Sequence, residues 1–81
     1  MHEIQIRVDN IERLLMFDYD PENEDALFDI VDPQGRIVKT GDVHGPVTRV
    51  RIMDLDGDDY FLLVMDGERS AVSPIHLKRA C

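Results

Sequence analysis

Tryptophan is absent from this chain, and five aromatic residues, three Phe and two Tyr, are all it has among 81. A sugar-gripping surface favours exposed rings, so a lectin-like role has little to build on. Basic residues are scarce as well: nine Lys and Arg stand against 17 Asp and Glu, for a net charge of −8. Nucleic-acid affinity comes largely from Lys and Arg neutralising phosphates, so no nucleic-acid partner is expected. The same deficit disfavours an anionic membrane surface. Cysteine occurs once, as Cys81. An internal disulfide is therefore excluded, and a free terminal thiol is expected.

Long hydrophobic runs are missing too. No stretch approaches the roughly 18 apolar residues of a membrane span. The opening "MHEIQIRVDN" lacks the basic and apolar regions of a signal peptide. The expectation is a soluble chain without an address of its own, cytoplasmic by default and exported if it belongs to a secreted cargo. No long segment repeats apolar residues at helical spacing; they come instead in short blocks separated by Asp, Asn, Gly and Pro. There is no internal repeat, low-complexity tract or linker. Residues 1–81 make a single small domain, which buries only about 60–65% of its unfolded surface.

What is present is alternation. In "EIQIRV" (3–8), Ile4, Ile6 and Val8 share one face and Glu3, Gln5 and Arg7 the other, as in a half-buried strand. "DN" (9–10) turns the chain into a second strand, "IERLLMFDY" (11–19), which is apolar on both faces in its middle. "DPENED" (20–25) is a wet loop. "ALFDIVD" (26–32) is a third strand, with Phe28 and Ile30 opposed to Leu27 and Val31. "DPQG" (32–35) has Asp, Pro and Gly where a tight turn wants them, and joins it to "RIVKT" (36–40) as a hairpin. After the loop "GDVHGP" (41–46), "VTRVRIM" (47–53) sends Thr48, Val50 and Ile52 inward and Arg49 and Arg51 outward. "YFLLVM" (60–65), the turn "DGER" (66–69) and "SAVSPIHLK" (70–78) complete the count. Pro74 cannot donate to ladders on both sides, so the last strand is an edge. Seven short strands with a turn signal in each gap predict an antiparallel, immunoglobulin-like β-sandwich.

The acids cluster, with seven in residues 18–32 and six in 54–68. They read as solvated loops that keep a β protein soluble. "IMDLDGDDYFLLV" (52–64) puts Asp54, Asp56 and Asp58 around Gly57 and invites comparison with a calcium loop. With Gly57 at position 6, however, position 1 is Ile52 and position 12 is Leu63, so the first and last ligands of an EF-hand are missing. The stretch instead reads Leu55–x–Gly57–x–x–Tyr60 before an apolar strand. That is the pattern of a corner at which a tyrosine hydroxyl bonds back to the preceding turn. Leu55 is expected to plug the core and Gly57 to take a positive φ. A weak calcium site is the alternative, built from Asp9, Asp32 and Asp56 at one pole or Asp20, Asp42 and Asp66 at the other.

Other chemistry has less support. His2, His44 and His76 have no partner at zinc spacing. A nucleophilic set could only be drawn from His44 or His76 with Ser70 or Ser73. No Gly-rich phosphate loop is present. No catalytic, cofactor-binding or metal-binding residue is singled out, and no cofactor is expected.

Residues 26–79 resemble the C-terminal sorting domains of type IX secretion cargo. The resemblance rests on Asp32, Gly35, Arg36 and Val38, then Asp54, Leu55, Gly57, Tyr60 and Val64, and finally Lys78 and Arg79. Two residues rather than the family's usual one separate Gly57 from Tyr60, which is nearer the fibronectin-type corner. The resemblance implies a seven-stranded immunoglobulin-like sandwich and a sorting or anchoring role in secretion. From the residues themselves, the leading expectation is a non-catalytic module that binds another protein or itself. "LLMF" (14–17) and "YFLLVM" (60–65) are apolar on both faces, so either loops cover their outer sides or these present a patch. The edge strand 70–78 is a second candidate surface.

Overall fold

A computed structural model of the chain describes residues 4–77. These residues form seven strands: β1 Gln5–Asp9, β2 Leu14–Asp18, β3 Leu27–Val31, β4 Ile37–Asp42, β5 Val47–Arg51, β6 Asp59–Asp66 and β7 Arg69–His76. They pair antiparallel in two sheets, ordered β1-β2-β5 and β4-β3-β6-β7. The protein is a small all-β sandwich. As Pro74 requires, β7 lies at a sheet edge.

Alternation decides which side chains fill the space between the sheets. Leu15 and Phe17 enter from β2, Phe28 and Ile30 from β3, Val50 from β5, and Tyr60, Leu62 and Val64 from β6. Phe17 and Phe28 meet edge to face across the sandwich, with ring centroids 5.4 Å apart and planes at 70°. This pair joins the two sheets in the geometry aromatic quadrupoles favour.

Three local expectations change. The first turn spans residues 10–13 rather than 9–10, so β2 begins at Leu14. Asp9 Oδ1 accepts the N–H groups of Ile11 and Glu12, at 3.0 and 3.1 Å, and Arg13 closes the turn at a φ of 53°. The sequence hid this turn because Ile11 looks like strand, yet it projects into solvent. The fourth strand runs on to Asp42, so Gly41 belongs to β4 and not to the loop that follows. A Cβ on Gly41 would stand 2.7 Å from the Phe28 ring, so glycine there makes room for a core aromatic. Gly57 does not take a positive φ; the positive-φ glycines are Gly35, Gly45 and Gly67. Lys78, the expected end of the last strand, lies outside the described residues.

The loops alternate between two ends of the sandwich. At one end, Tyr19 N–H bonds Pro46 O and Val43 N–H bonds Ala26 O, each at 3.0 Å, which gathers the 20–25 and 43–46 loops. At the other, Ile52 N–H bonds Arg13 O at 3.0 Å, and Lys39 Nζ lies 3.1 Å from Asp54 Oδ1.

Candidate functional site

The acids come first, because the sequence made them the candidate ion ligands. Asp66 is buried, and every partner it has is a donor. Its Oδ2 accepts from Tyr19 Oη (3.1 Å) and Glu22 N–H (2.8 Å), and its Oδ1 from the Asn23 N–H (2.9 Å) and Nδ2 (2.7 Å). The Glu22 N–H above all, then the Asn23 and Tyr19 donors, hold its pKa below the ordinary carboxylate value against the opposing effect of burial. Burial first, and the Asp66 carboxylate second, push the Tyr19 phenol up, which keeps it a donor. Asp32 is engaged in the same way. It accepts from Gln34 N–H (3.0 Å), Arg36 N–H (2.9 Å) and Arg36 Nε (2.9 Å), with the Arg36 N–H the chief cause of its lowered pKa.

Asp9 caps its own turn, Asp54 is drawn down by Lys39, and Asp18 pairs with Arg7 at 2.7 Å. Among the described residues no three His, Cys, Asp or Glu side chains gather as a metal cage. Asp32 and Asp66, one from each proposed calcium triad, spend their oxygens on the protein. Millimolar calcium is therefore expected to shift the melting temperature by under about 2 °C, since only an ion bound to the folded state raises it. A larger rise in a thermal melt overturns this reading.

The 54–60 stretch is a corner. Tyr60 folds back so that its Oη accepts the Gly57 N–H at 2.7 Å, while Leu55 is buried in the core. A Cβ on Gly57 would stand 2.9 Å from the Tyr60 hydroxyl oxygen, so the glycine is there for close approach rather than for φ. Of the histidines, His2 lies outside the described residues, and His44 is exposed, with its backbone N–H donating to Thr48 Oγ1. His76 Nδ1 lies 2.9 Å from Asp59 Oδ1 at the end of β7. Ser73 lies on the opposite face of β7 from His76. Ser70 shares the His76 face but is six residues along the strand, roughly 20 Å away. No nucleophilic set forms on β7.

The apolar patch is open to solvent. Leu27, Phe61, Met65 and Val72 are 44%, 41%, 37% and 65% exposed, and no loop of the described residues covers them. Ladder pairing sets them side by side: Leu27 opposite Met65, Val31 opposite Phe61, Leu63 opposite Val72, and Phe61 opposite Pro74. Together they occupy much of the outer face of β3, β6 and β7. The outer face of the other sheet is different, with Arg7 and Arg49 flanking Met16 and Arg51 beside Leu14. A hollow lined by Glu12, Leu14, Arg51 and Met53 lies at the end of that second face. The patch was half legible: of the two doubly apolar strands only β6 belongs to it, since "LLMF" lies on β2 in the other sheet, and strand order is what sets Leu27 and Val72 beside Met65 and Leu63. The hydrogen-bonding role of Asp66 was missed. Its one signal was an acid directly before the hairpin glycine.

No family model and no curated protein matches the chain. Any role must be argued from these surfaces.

Proposed function

We propose that the chain is a non-catalytic, immunoglobulin-like module that binds protein through the outer face of its four-stranded sheet. The observation that carries this reading is the open apolar face around Phe61, Met65, Leu27 and Val72. Contiguous apolar surface rimmed by polar residues is where soluble proteins meet partners. The three- and four-strand division and the corner tyrosine support the immunoglobulin-like description.

A photo-crosslinking residue placed at Val72, in cells of the native host, tests the assignment. Ile11, which is exposed and apolar but sits in the β1–β2 turn, is the control position. Protein adducts are expected at position 72 well above those at position 11. Equal or absent adducts sink the proposal.

The sorting role implied by the secretion-cargo resemblance is the second reading. Asp32 and Gly35 shape the β3–β4 hairpin, and Leu55, Gly57 and Tyr60 build the corner. The motif residues thus act in architecture, which favours kinship of fold over kinship of role. Surface display of a passenger fused ahead of residues 1–81, in a type IX-competent cell, is the result that would support sorting.

A further inference from the structure

In so acidic a protein the bases among the described residues are nearly all committed. Arg7 pairs with Asp18, Arg36 with Asp32, Lys39 with Asp54 and Arg69 with Glu22, while Arg13 bonds Leu55 O. Among the described bases Arg49 and Arg51 are the exceptions: neither side chain has a hydrogen bond or ion pair with a described residue. Both stand on the outer face of the three-stranded sheet, beside Met16 and Leu14. Two residues apart on one strand, they are about 7 Å from each other.

The opposite outer face carries the complement. Asp29 lies between Leu27 and Val31 on β3, facing out because Phe28 and Ile30 face in. Asp42 lies across from Leu27 on β4 and shares that face. Neither acid has a partner among the described residues. As diagonal neighbours on adjacent strands they are about 7–8 Å apart, which matches the arginine spacing. No Lys or Arg points outward from β3, β4, β6 or β7, since Lys39 shares the inner side with Gly41 and Arg69 shares that of Ala71 and Ile75.

Covering this apolar face strips water from Asp29, and an unpaired buried carboxylate is costly, so the occupant has to bring a cation. Two copies meeting face to face would set acid against acid. Two copies meeting back to front satisfy both charges and bury Met16 and Leu14 against Leu27 and Leu63. We propose that the outer face of the four-stranded sheet docks on the outer face of the three-stranded sheet of a second copy, with Asp29 and Asp42 meeting Arg49 and Arg51. The contact is head to tail, and each added copy exposes the same face again, so it grows as an open stack. The remaining acids repel one another, but that repulsion is damped beyond about 8 Å at 0.15 M salt, while the contact pairs lie well inside that range.

This inference rests on reading the apolar face as a protein-binding surface, and the test separates the two. Sedimentation velocity of the full chain at 0.15 M salt, from about 1 µM to about 1 mM, is expected to show mass rising with concentration past the dimer. Arg49→Glu/Arg51→Glu should be monomeric throughout, and so should Asp29→Arg/Asp42→Arg. Mixed in equal amounts, the two variants should associate again, because each supplies the charge the other needs. Misfolding cannot give that rescue. A monomeric wild type, a species that stops at two copies, or failure of the mixture to associate overturns the stack. A host-protein adduct at position 72 would then still uphold the binding face.

Discussion

Asp66→Asn is expected to lower the melting temperature at pH 7 by about 10 °C or more. The carboxylate is 1% exposed and accepts four hydrogen bonds: two from Asn23, one from Glu22 and one from Tyr19. An amide replaces one acceptor oxygen with an NH2 group that must then face donors. At least one buried donor loses its partner, and such a loss costs about 1–3 kcal/mol each. A domain of this size loses about 4–8 °C per kcal/mol, so two lost bonds already reach the expected drop. The β6–β7 hairpin and the 20–25 loop should loosen together, because Asp66 joins them.

The pH dependence gives this prediction a second readout. The Asp66 pKa is lowered in the folded state, chiefly by the Glu22 N–H. A depressed carboxylate stabilises the fold above its unfolded value, near 3.9, and that stability is lost as pH falls through the folded value. The gap between wild type and Asp66→Asn should therefore be widest at neutral pH and shrink below about pH 4. Asp32, also lowered, contributes with the same sign and remains in both proteins. Thermal melts from pH 7 down to about pH 3 make the comparison. A gap that stays constant as the acid titrates would show that Asp66 matters for its shape and not its charge.

How far the sequence could be read depended on whether the deciding interaction was local. Strands β1 and β5 were legible because Ile6 and Val8, and Thr48 and Val50, alternate with polar residues, and β6 because a short apolar run stands between turn residues; both signals are local. The 32–35 turn was legible because Pro33 and Gly35 act within four residues. Asp66 was not, since its donors lie 43 to 47 residues away in sequence. An acid that ends up saturated by distant donors looks the same, letter for letter, as a solvated one. The candidate face divides along the same line. Its apolar strands could be seen, whereas the isolation of Asp29 and Asp42 depends on sheet order and on where the described bases are spent. The error at Gly57 has a different origin: Tyr60 is only three residues away, but the close approach of its ring and not the backbone φ demands the glycine.

That ring supports the second large effect. Tyr60→Phe is expected to cost about 1–3 kcal/mol, because the Gly57 N–H loses the acceptor it reaches at 2.7 Å. Gly57→Ala should cost a similar amount for a different reason. Its Cβ would lie 2.9 Å from Tyr60 Oη and 3.2 Å from Cζ, so the ring or the turn has to move and the hydrogen bond breaks. The double variant should cost less than the sum of the two, by about 1 kcal/mol, since removing the oxygen relieves the nearer clash and the bond can be lost only once. Asp59→Asn is the control on the same stretch; it keeps an oxygen for the exposed His76 and should change stability by under about 0.5 kcal/mol. Urea melts of the four variants and the wild type measure all of this. Strict additivity would mean that Gly57 and Tyr60 act independently, and if Asp59→Asn unfolds the protein while Tyr60→Phe is silent, 54–60 depends on its charges and not on its corner.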